Sequence, residues 1–229
     1  MRPRVAVVLL LLSACAAPER LTHHRSPLLA VPVDPLTPEG RPNAIPFSGP
    51  ARASSLPRLD GEAIASSAAR LLGRRHVSAN GKRFPDDCTG LVRAVYAEHG
   101  VDLLADGSRG AENGVTAIYR FADSRGTVHT GSPRPGDIVF FRETYDRNRD
   151  GRENDGLTHI GIVEKVEENG TVHVIHRVER GVVRYRMNPA HPSKRKDANG
   201  RVLNDYLREG RKNRLAGELF AAYATLARR

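Results

Sequence analysis

Two apolar segments separated by a short polar turn constrain the fold of this chain more than any other feature. Residues 159–166 and 171–178 flank Glu167-Glu168-Asn169-Gly170, a sequence typical of a hairpin loop. The two segments are therefore predicted to form antiparallel strands. Their pairing sets which side chains share a face, because successive side chains of a strand alternate between the two faces of a sheet.

The length of the hairpin loop fixes the register. A four-residue loop pairs Val166 with Thr171 and places Gly161 opposite His176. In this register His159 and His176 lie on the same face as diagonal neighbours. His173 falls on the opposite face. A two-residue loop would keep the same faces but move the two histidines further apart.

The rest of the pattern places most helices before the strands and defines one domain over residues 59–229. The predicted helices cover 60–73, 87–99, 115–121 and 213–228, and the predicted strands cover 138–141, 159–166, 171–178 and 182–187. Helices followed by an antiparallel sheet indicate the α+β class. The last part of this domain is basic, and it is interpreted as a C-terminal extension of the domain.

Cys88 is the one cysteine of the predicted domain. Asp87 can cap a helix that starts at Cys88, and the positive end of the helix dipole would there favour a thiolate. Gly90 leaves room for another group to approach the start of this helix. The position alone is equally compatible with a small buried core cysteine.

A catalytic thiol needs a base, and the strand that begins near His159 offers one. Gly161, on the same face, would leave space for the helix that carries Cys88. His176 could hold the orientation and tautomer of His159, as the third member of a catalytic triad does. For His159 taken alone, a satisfied histidine at a strand end is the alternative.

Four motifs in one order resemble those of NlpC-type cell-wall cysteine peptidases and the related CHAP amidohydrolases. They lie at residues 87–96, 135–141, 159–163 and 174–176. Each motif is weak alone, whereas their order in a chain with an export signal is specific. The resemblance covers roughly residues 60–180 and implies a papain-like fold, with N-terminal helices packed on an antiparallel sheet.

The resemblance also implies the chemistry of the site. Cys88 would attack an amide of a peptidoglycan stem peptide, His159 would be the base, and His176 would orient it. Asp87 matches the residue before the nucleophile, which lies on the substrate-binding side of the cleft. No cofactor is required for this chemistry.

The N-terminus reads as the signal of an exported lipoprotein. A basic start and an eight-residue apolar segment precede Leu12-Ser13-Ala14-Cys15, so residues 1–14 are predicted to be a signal peptide and Cys15 the lipidated first residue. An ordinary signal peptide with an incidental cysteine is the alternative. Residues 15–58 are rich in proline, as expected of a tether. The predicted location is the cell envelope, on the periplasmic side of the outer membrane if the host is Gram-negative.

The loop before His159 contains half of a calcium-binding motif. Asp146, Asn148 and Asp150 occupy positions 1, 3 and 5 of a D-x-N-x-D-G sequence. The usual glutamate at position 12 is missing, and Asp155 at position 10 could replace it. A structural calcium ion and a solvated loop of Asx turns are both compatible with this sequence.

Charge and motifs limit the function classes. The chain has 36 Lys and Arg against 26 Asp and Glu, a formal charge of +10, which favours anionic surroundings. No nucleic-acid motif is present, so no nucleic-acid partner is expected. The resemblance implies peptidoglycan stem peptides as the substrate, and lipidated Cys15 would make the membrane a second partner. The first interpretation is a peptidoglycan hydrolase that acts through a cysteine thioester. A non-catalytic envelope-binding module and a thioester acyltransferase are the alternatives.

Overall fold

The computed structural model describes residues 56–107, 112–208 and 213–227, which belong to one compact unit. The predicted signal peptide, Cys15 and almost all of the predicted tether lie outside the described residues. No helix among the described residues is long and apolar enough to cross a bilayer.

Three helices precede the main sheet, each with a side chain that caps its first turn. They are α1 (Gly61–Ala69), α2 (Cys88–Glu98) and α3 (Gly114–Arg125). The capping residues are Asp60, Asp87 and Asn113, whose side-chain oxygens accept hydrogen bonds from backbone N–H groups of the first turn. The predicted N-terminal helices are thus present, although α1 ends four residues before the expected Gly73.

A six-stranded antiparallel sheet forms the centre of the unit, with the strand order β3-β10-β4-β5-β6-β7. Its strands are β3 (Thr127–His129), β4 (Ile138–Arg142), β5 (Leu157–Val166), β6 (Val172–Val178), β7 (Gly181–Met187) and β10 (Phe220–Thr225). Two small pairs complete the fold: β1 (Ser78–Ala79) with β2 (Lys82–Arg83), and β8 (Tyr206–Arg208) with β9 (Arg214–Leu215). The α+β prediction is confirmed.

The predicted C-terminal helix over residues 213–228 is wrong. The described part of this segment forms β9, a single helical turn α4 (Ala216–Leu219) and then β10. Strand β10 fills the space between β3 and β4 and pairs with both. The open edges of those two strands need hydrogen-bond partners, and this tertiary requirement overrides the helical spacing of the apolar residues. The C-terminal segment is therefore part of the central sheet.

The sheet buries apolar side chains on both faces. Ile160 and Ile162 pack with the helices, whereas Val163 and Val174 pack on the other face against the segment that contains Tyr223. This division confirms the alternation predicted for β5. It also explains why residues 160–163 of β5 are continuously apolar and buried, because the part of a strand that is covered on both sides has no solvated face. The helices pack on the face opposite Gly161, whose missing side chain makes space for Val174 and His176 of β6. The prediction that Gly161 leaves space for the helix of Cys88 is therefore wrong.

The register between β5 and β6 is confirmed where the histidines lie and is wrong near the turn. Gly161 pairs with His176 as predicted, but Val166 pairs with Val172 rather than with Thr171. An irregularity between Val163 and Lys165 absorbs the difference, as a bulge does. The loop is one residue longer than predicted, and the bulge keeps this shift away from the histidine pair.

Candidate active site

Helix α2 places Cys88 at its first position. The Asp87 carboxylate accepts hydrogen bonds from the Gly90 N–H at 2.8 Å and from the Thr89 hydroxyl at 2.7 Å. This N-cap fixes the entry of the chain into the helix, and Cys88 is a half-buried free thiol there. The predicted cap and helix start are confirmed.

The absence of a side chain at Gly90 is required by the turn before the nucleophile. A Cβ at Gly90 would lie 1.9 Å from the carbonyl oxygen of Pro85. The group that approaches Gly90 is therefore the backbone of the chain itself. This close approach brings Pro85 against the first turn of α2 and so shapes the loop that leads into Cys88.

Cys88 and His159 line the same cleft. The backbone N–H of Ile160, the residue that follows His159, favours the thiolate form of Cys88 and so acts to lower its pKa. The β5–β6 ladder begins at Gly161 and His176, so Ile160 has no partner residue on β6. The thiol and the predicted base thus share one cleft near the end of this ladder.

The surroundings of Cys88 favour the neutral thiol. Burial raises the pKa of Cys88 to about 11, and the negative charge of Asp87 adds to this increase. Backbone N–H groups, including that of Ile160, oppose the shift but do not outweigh it. The prediction that the helix start holds a thiolate is therefore wrong for the resting site, because desolvation and a neighbouring carboxylate exceed the effect of the helix end.

His159 and His176 form a hydrogen-bonded pair, as their predicted positions on one face require. The His159 Nε2 and His176 Nδ1 atoms are 2.8 Å apart, and the rings are nearly perpendicular. His159 is partly exposed at the cleft, whereas His176 is 1% exposed. The outer histidine is thus held by an inner one that water does not reach.

Both histidines are held in the neutral form. Burial lowers the pKa of His159 to about 4, while the charge of Asp87 acts in the opposite direction. The pKa of His176 is lowered well below its usual range by burial, and the charge of Arg180 contributes to this decrease. A neutral His159 can accept a proton, which the base of a thiol nucleophile must do.

The pair can support a base at His159 in only one tautomeric arrangement. If the His159 Nδ1 is to accept a proton, its Nε2 must carry the hydrogen and donate it to the His176 Nδ1. His176 then carries its own proton on Nε2, a buried atom with no hydrogen-bond partner among the described residues. The Tyr185 ring lies beside it, with ring centroids 4.4 Å apart and an interplanar angle of 71°. An N–H group next to an aromatic ring is a weak but favourable contact.

His173 takes no part in this pair. It lies three residues before His176 on the same continuous strand and therefore points to the other face. Its Nε2 atom contacts Glu167 at the end of the hairpin. The predicted difference in position between the two histidines of β6 is confirmed.

A cavity of about 870 Å³ opens over Cys88 and His159. Its walls include side chains from the nucleophile loop, the start of α3, the β4–β5 connection and the C-terminal segment. Among them are Asp87, Asn113, Tyr145, Glu179 and Leu207. Asp87 thus lines the cleft as predicted, although one of its oxygens also caps α2. The contribution of Leu207 was missed from the sequence, because the C-terminal segment was interpreted as an extension of the domain.

Arg177 is a second residue that the sequence did not reveal. Its buried guanidinium donates hydrogen bonds to the backbone oxygens of Asp86 and Arg75, and it lies 3.8 Å from the Asp86 carboxylate. It therefore ties β6, directly after His176, to the loop that leads into Cys88. An arginine inside a strand carries no sequence signal for such a role, since charged residues usually mark exposed positions.

The acidic loop between β4 and β5 folds around its own carboxylates. Asp146 accepts hydrogen bonds from the N–H groups of Asp150 and Gly151, and Asp155 accepts one from the Asn148 N–H at 3.1 Å. In the part of the chain that the structure describes, no group of three or more His, Cys, Asp or Glu residues is arranged to hold a metal ion. Asp155 is 8% exposed, and its Oδ2 atom has no hydrogen-bond partner within the described ranges.

The fold and the cleft together define a papain-like α+β domain whose cleft contains a thiol and the outer member of a histidine pair. Residues 77–177 match the family model of the CHAP domain. This match spans Cys88, His159 and His176, and a CHAP domain supports a peptidoglycan hydrolase of the amidase or peptidase type. No curated protein and no solved structure was found to match the chain.

Proposed function

We propose that the protein hydrolyses an amide bond of a peptidoglycan stem peptide through a thioester on Cys88. One observation carries the proposal: the cleft contains both the thiol and His159, whose inner nitrogen is 2.8 Å from the buried His176. A thiol, a neutral base and a group that orients the base are the parts that acyl transfer by cysteine requires.

Acylation starts from the neutral thiol and the neutral imidazole. As the Cys88 sulfur attacks the amide carbonyl carbon, the His159 Nδ1 takes the thiol proton. The negative oxygen of the tetrahedral intermediate receives a hydrogen bond from the Cys88 N–H. His159 then gives its proton to the amide nitrogen, the C–N bond breaks, and the amine product leaves a thioester on the sulfur.

Deacylation repeats these steps with water as the nucleophile. The oxygen of a water molecule attacks the thioester carbon while His159 takes a proton from that water. The C–S bond then breaks. The proton returns to the Cys88 sulfur and the carboxylic acid product is released. His176 stays neutral throughout and accepts the hydrogen bond of His159, whose imidazolium form is further stabilised by the charge of Asp87.

The proposal includes a substrate-binding role for Asp87. Its carboxylate lines the cleft directly before the nucleophile, while its hydrogen bond to Gly90 holds it in place. A fixed negative charge at this position favours a cationic group of the substrate near the scissile bond.

Incubating the full chain with purified muropeptides and identifying the products by mass spectrometry tests the function. We expect one amide to be cleaved with the gain of one water, and no cleavage by the Cys88→Ala variant. Acid quenching of the wild type should reveal an adduct on Cys88. Transfer of the acyl group to an added amine in preference to water would identify an acyltransferase. Binding of muropeptides without any product would identify a non-catalytic module.

We propose further that the protein is held at the cell envelope by a lipid on Cys15, on the periplasmic side of the outer membrane in a Gram-negative host. The support is the Leu12-Ser13-Ala14-Cys15 sequence after a short apolar segment. Growth of expressing cells with an alkyne-bearing fatty acid should label the wild-type protein and leave Cys15→Ala unlabelled. A label that persists in Cys15→Ala would refute the anchor.

We also propose that the β4–β5 loop binds one calcium ion through Asp146, Asn148, Asp150 and Asp155. The support is the D-x-N-x-D-G sequence together with the buried Asp155 Oδ2 atom, which has no hydrogen-bond partner in the described part of the chain. An uncompensated carboxylate oxygen is costly to bury, and a hard cation would satisfy it.

Calcium should raise the melting temperature of the metal-stripped full chain, and chelation should reverse this effect. The Asp155→Asn variant should lose the response, whereas Asp123→Asn, a variant on α3, should keep it. Isothermal titration without heat of binding at millimolar calcium would overturn the site. The loop would then be a network of Asx turns.

A further inference from the structure

A second cavity continues the cleft beyond Glu179 and Leu207. It has a volume of about 550 Å³, and it shares these two residues and Val178 with the cavity over Cys88. Its other walls are formed by Arg75, Arg180, Tyr185 and Tyr206. The two cavities thus form one groove, and a ligand that reaches across Glu179 would occupy both.

The charge changes sign along this groove. Next to Cys88 the walls carry the carboxylates of Asp86, Asp87 and Glu179, and the one arginine there, Arg177, is engaged by backbone oxygens and Asp86. The second cavity has Glu179 at its junction with the first, and its other charged walls are the two arginines, Arg75 and Arg180. Neither Arg75 nor Arg180 forms an ion pair with any residue in the described ranges.

The two arginines are carried by backbone segments that are locked together. The Val182 N–H donates to the Arg74 oxygen and the Gly73 N–H donates to the Val182 oxygen, both at 2.9 Å. The Arg75 carbonyl oxygen accepts a hydrogen bond from Arg177 at 2.7 Å. A Cβ at Gly181 would lie 2.8 Å from the Arg74 oxygen, so the close contact requires glycine. Fixed backbone positions under the two arginines reduce the reorganisation that binding an anion requires.

The second cavity is also coupled to the histidine pair. Arg180 donates a hydrogen bond to the Tyr185 hydroxyl at 3.1 Å, and the ring of Tyr185 packs against His176. An anion at Arg180 would offset the positive charge that this arginine directs at His176. Occupation of the cavity would therefore favour proton uptake by the pair when the substrate is in place.

We infer that this cavity is a subsite for a carboxylate of the substrate, bound by Arg75 and Arg180 on the side of the groove away from Cys88. The inference rests on the proposed function for the identity of the substrate, a peptide with free carboxylates. Guanidinium groups pair with carboxylates through charge-assisted hydrogen bonds, and the tyrosine hydroxyls add neutral donors. The inference assigns a binding site to a part of the substrate that the catalytic residues do not contact.

Binding to the full-length Cys88→Ala protein tests the subsite independently of turnover. The probes are the tripeptide L-Ala-γ-D-Glu-L-Lys and its counterparts in which one carboxylate at a time is a carboxamide. We expect one carboxamide to bind about tenfold more weakly, the effect of losing one charge-assisted hydrogen bond. Adding Arg180→Gln or Arg75→Gln should weaken binding of the parent peptide to the same degree. The affinity for that carboxamide should not change.

Arg184→Gln is the matched control, because Arg184 lies nearby on β7 but pairs with Glu164. This change should leave all affinities as they were. Equal affinity for the parent and every carboxamide, or no binding of any probe, would overturn the subsite. If one carboxamide binds more weakly than the parent peptide but the wild type releases no product, the subsite stands and the proposed hydrolysis fails. If the wild type hydrolyses muropeptides but the parent and the carboxamides bind equally, the hydrolysis stands and the subsite fails.

Discussion

His159 and His176 differ in exposure although they share one hydrogen bond, and this difference sets their proposed roles. The partly exposed ring can meet the thiol and the substrate, whereas the buried ring can only accept the hydrogen bond of its partner. The His173 ring, three residues away, serves as an internal comparison. Single substitutions at these three positions therefore separate catalysis from general effects on the sheet.

His159→Ala should reduce kcat by a factor on the order of 10² or more, because the base is lost. His176→Ala should reduce kcat about tenfold, since the base remains but loses the group that orients it. His173→Ala should leave kcat unchanged. Hydrolysis of a muropeptide under saturating conditions measures all three. Similar losses for His173→Ala and His176→Ala would contradict the assignment.

Asp87 links the protonation of the nucleophile and that of the base. Its charge raises the pKa of both Cys88 and His159, so removing the charge lowers both. The wild-type enzyme should be active above about pH 4 and lose activity below it, as His159 becomes protonated. In Asp87→Asn the acidic limb of the kcat profile should move to lower pH.

Asparagine is chosen at this position because it also caps helices, so α2 keeps its first turn. A melting curve at each pH separates titration of the site from acid unfolding. An acidic limb that stays in place, or moves to higher pH, would show that the Asp87 charge does not act on the base. A change in KM alone would indicate a purely substrate-binding residue.

Among the elements, the start of α2 depends on a contact that allows no side chain. Gly90→Ala would place a methyl carbon against the Pro85 carbonyl, so the nucleophile loop must move. We expect a lower melting temperature and a loss of kcat of at least tenfold, because small displacements of reacting groups cost much of the rate. Gly131→Ala is the matched control, since the nearest atom would be 3.9 Å away. Equal behaviour of the two variants would contradict this account of the loop.

The β4–β5 connection is the second element that bears on the site. It carries Tyr145 into the cleft wall immediately before the acidic loop, and Glu153 in that loop pairs with Arg214 of β9. The connection is therefore fastened both to the cleft and to the C-terminal segment. An ion bound in the loop would act on the cleft through this wall.

For the whole molecule, the C-terminal strand is as central as the motif-bearing strands. Tyr223 and Ala224 of β10 are fully buried, and the strand joins β3 to the rest of the sheet. A chain that ends at residue 212 should lose cooperative unfolding, because it leaves two strand edges and both core faces open. A chain that ends at residue 227 should melt like the full-length protein. Thermal unfolding followed by circular dichroism compares the two, and a cooperative transition in the shorter chain would refute the role of β10.

Local sequence was sufficient for the elements whose signals lie within a few residues. The cap at Asp87, the start of α2 at Cys88 and the pairing of Gly161 with His176 could all be predicted, because capping and strand alternation depend on near neighbours. The presence of Cys88 and His159 in one cleft followed from the order of the motifs. These features established the fold class and the candidate residues.

The remaining features depend on groups that are distant in the sequence. The residues of β10 have helical spacing and become a strand because two strand edges are open, and Arg177 is buried because two backbone oxygens accept its hydrogen bonds. The neutral state of Cys88 arises from burial that the thiol acquires only in the folded domain. The sequence specified which groups are present and on which faces they lie. Their partners, their burial and thus their protonation were set by tertiary packing, since desolvation and edge pairing depend on the whole fold.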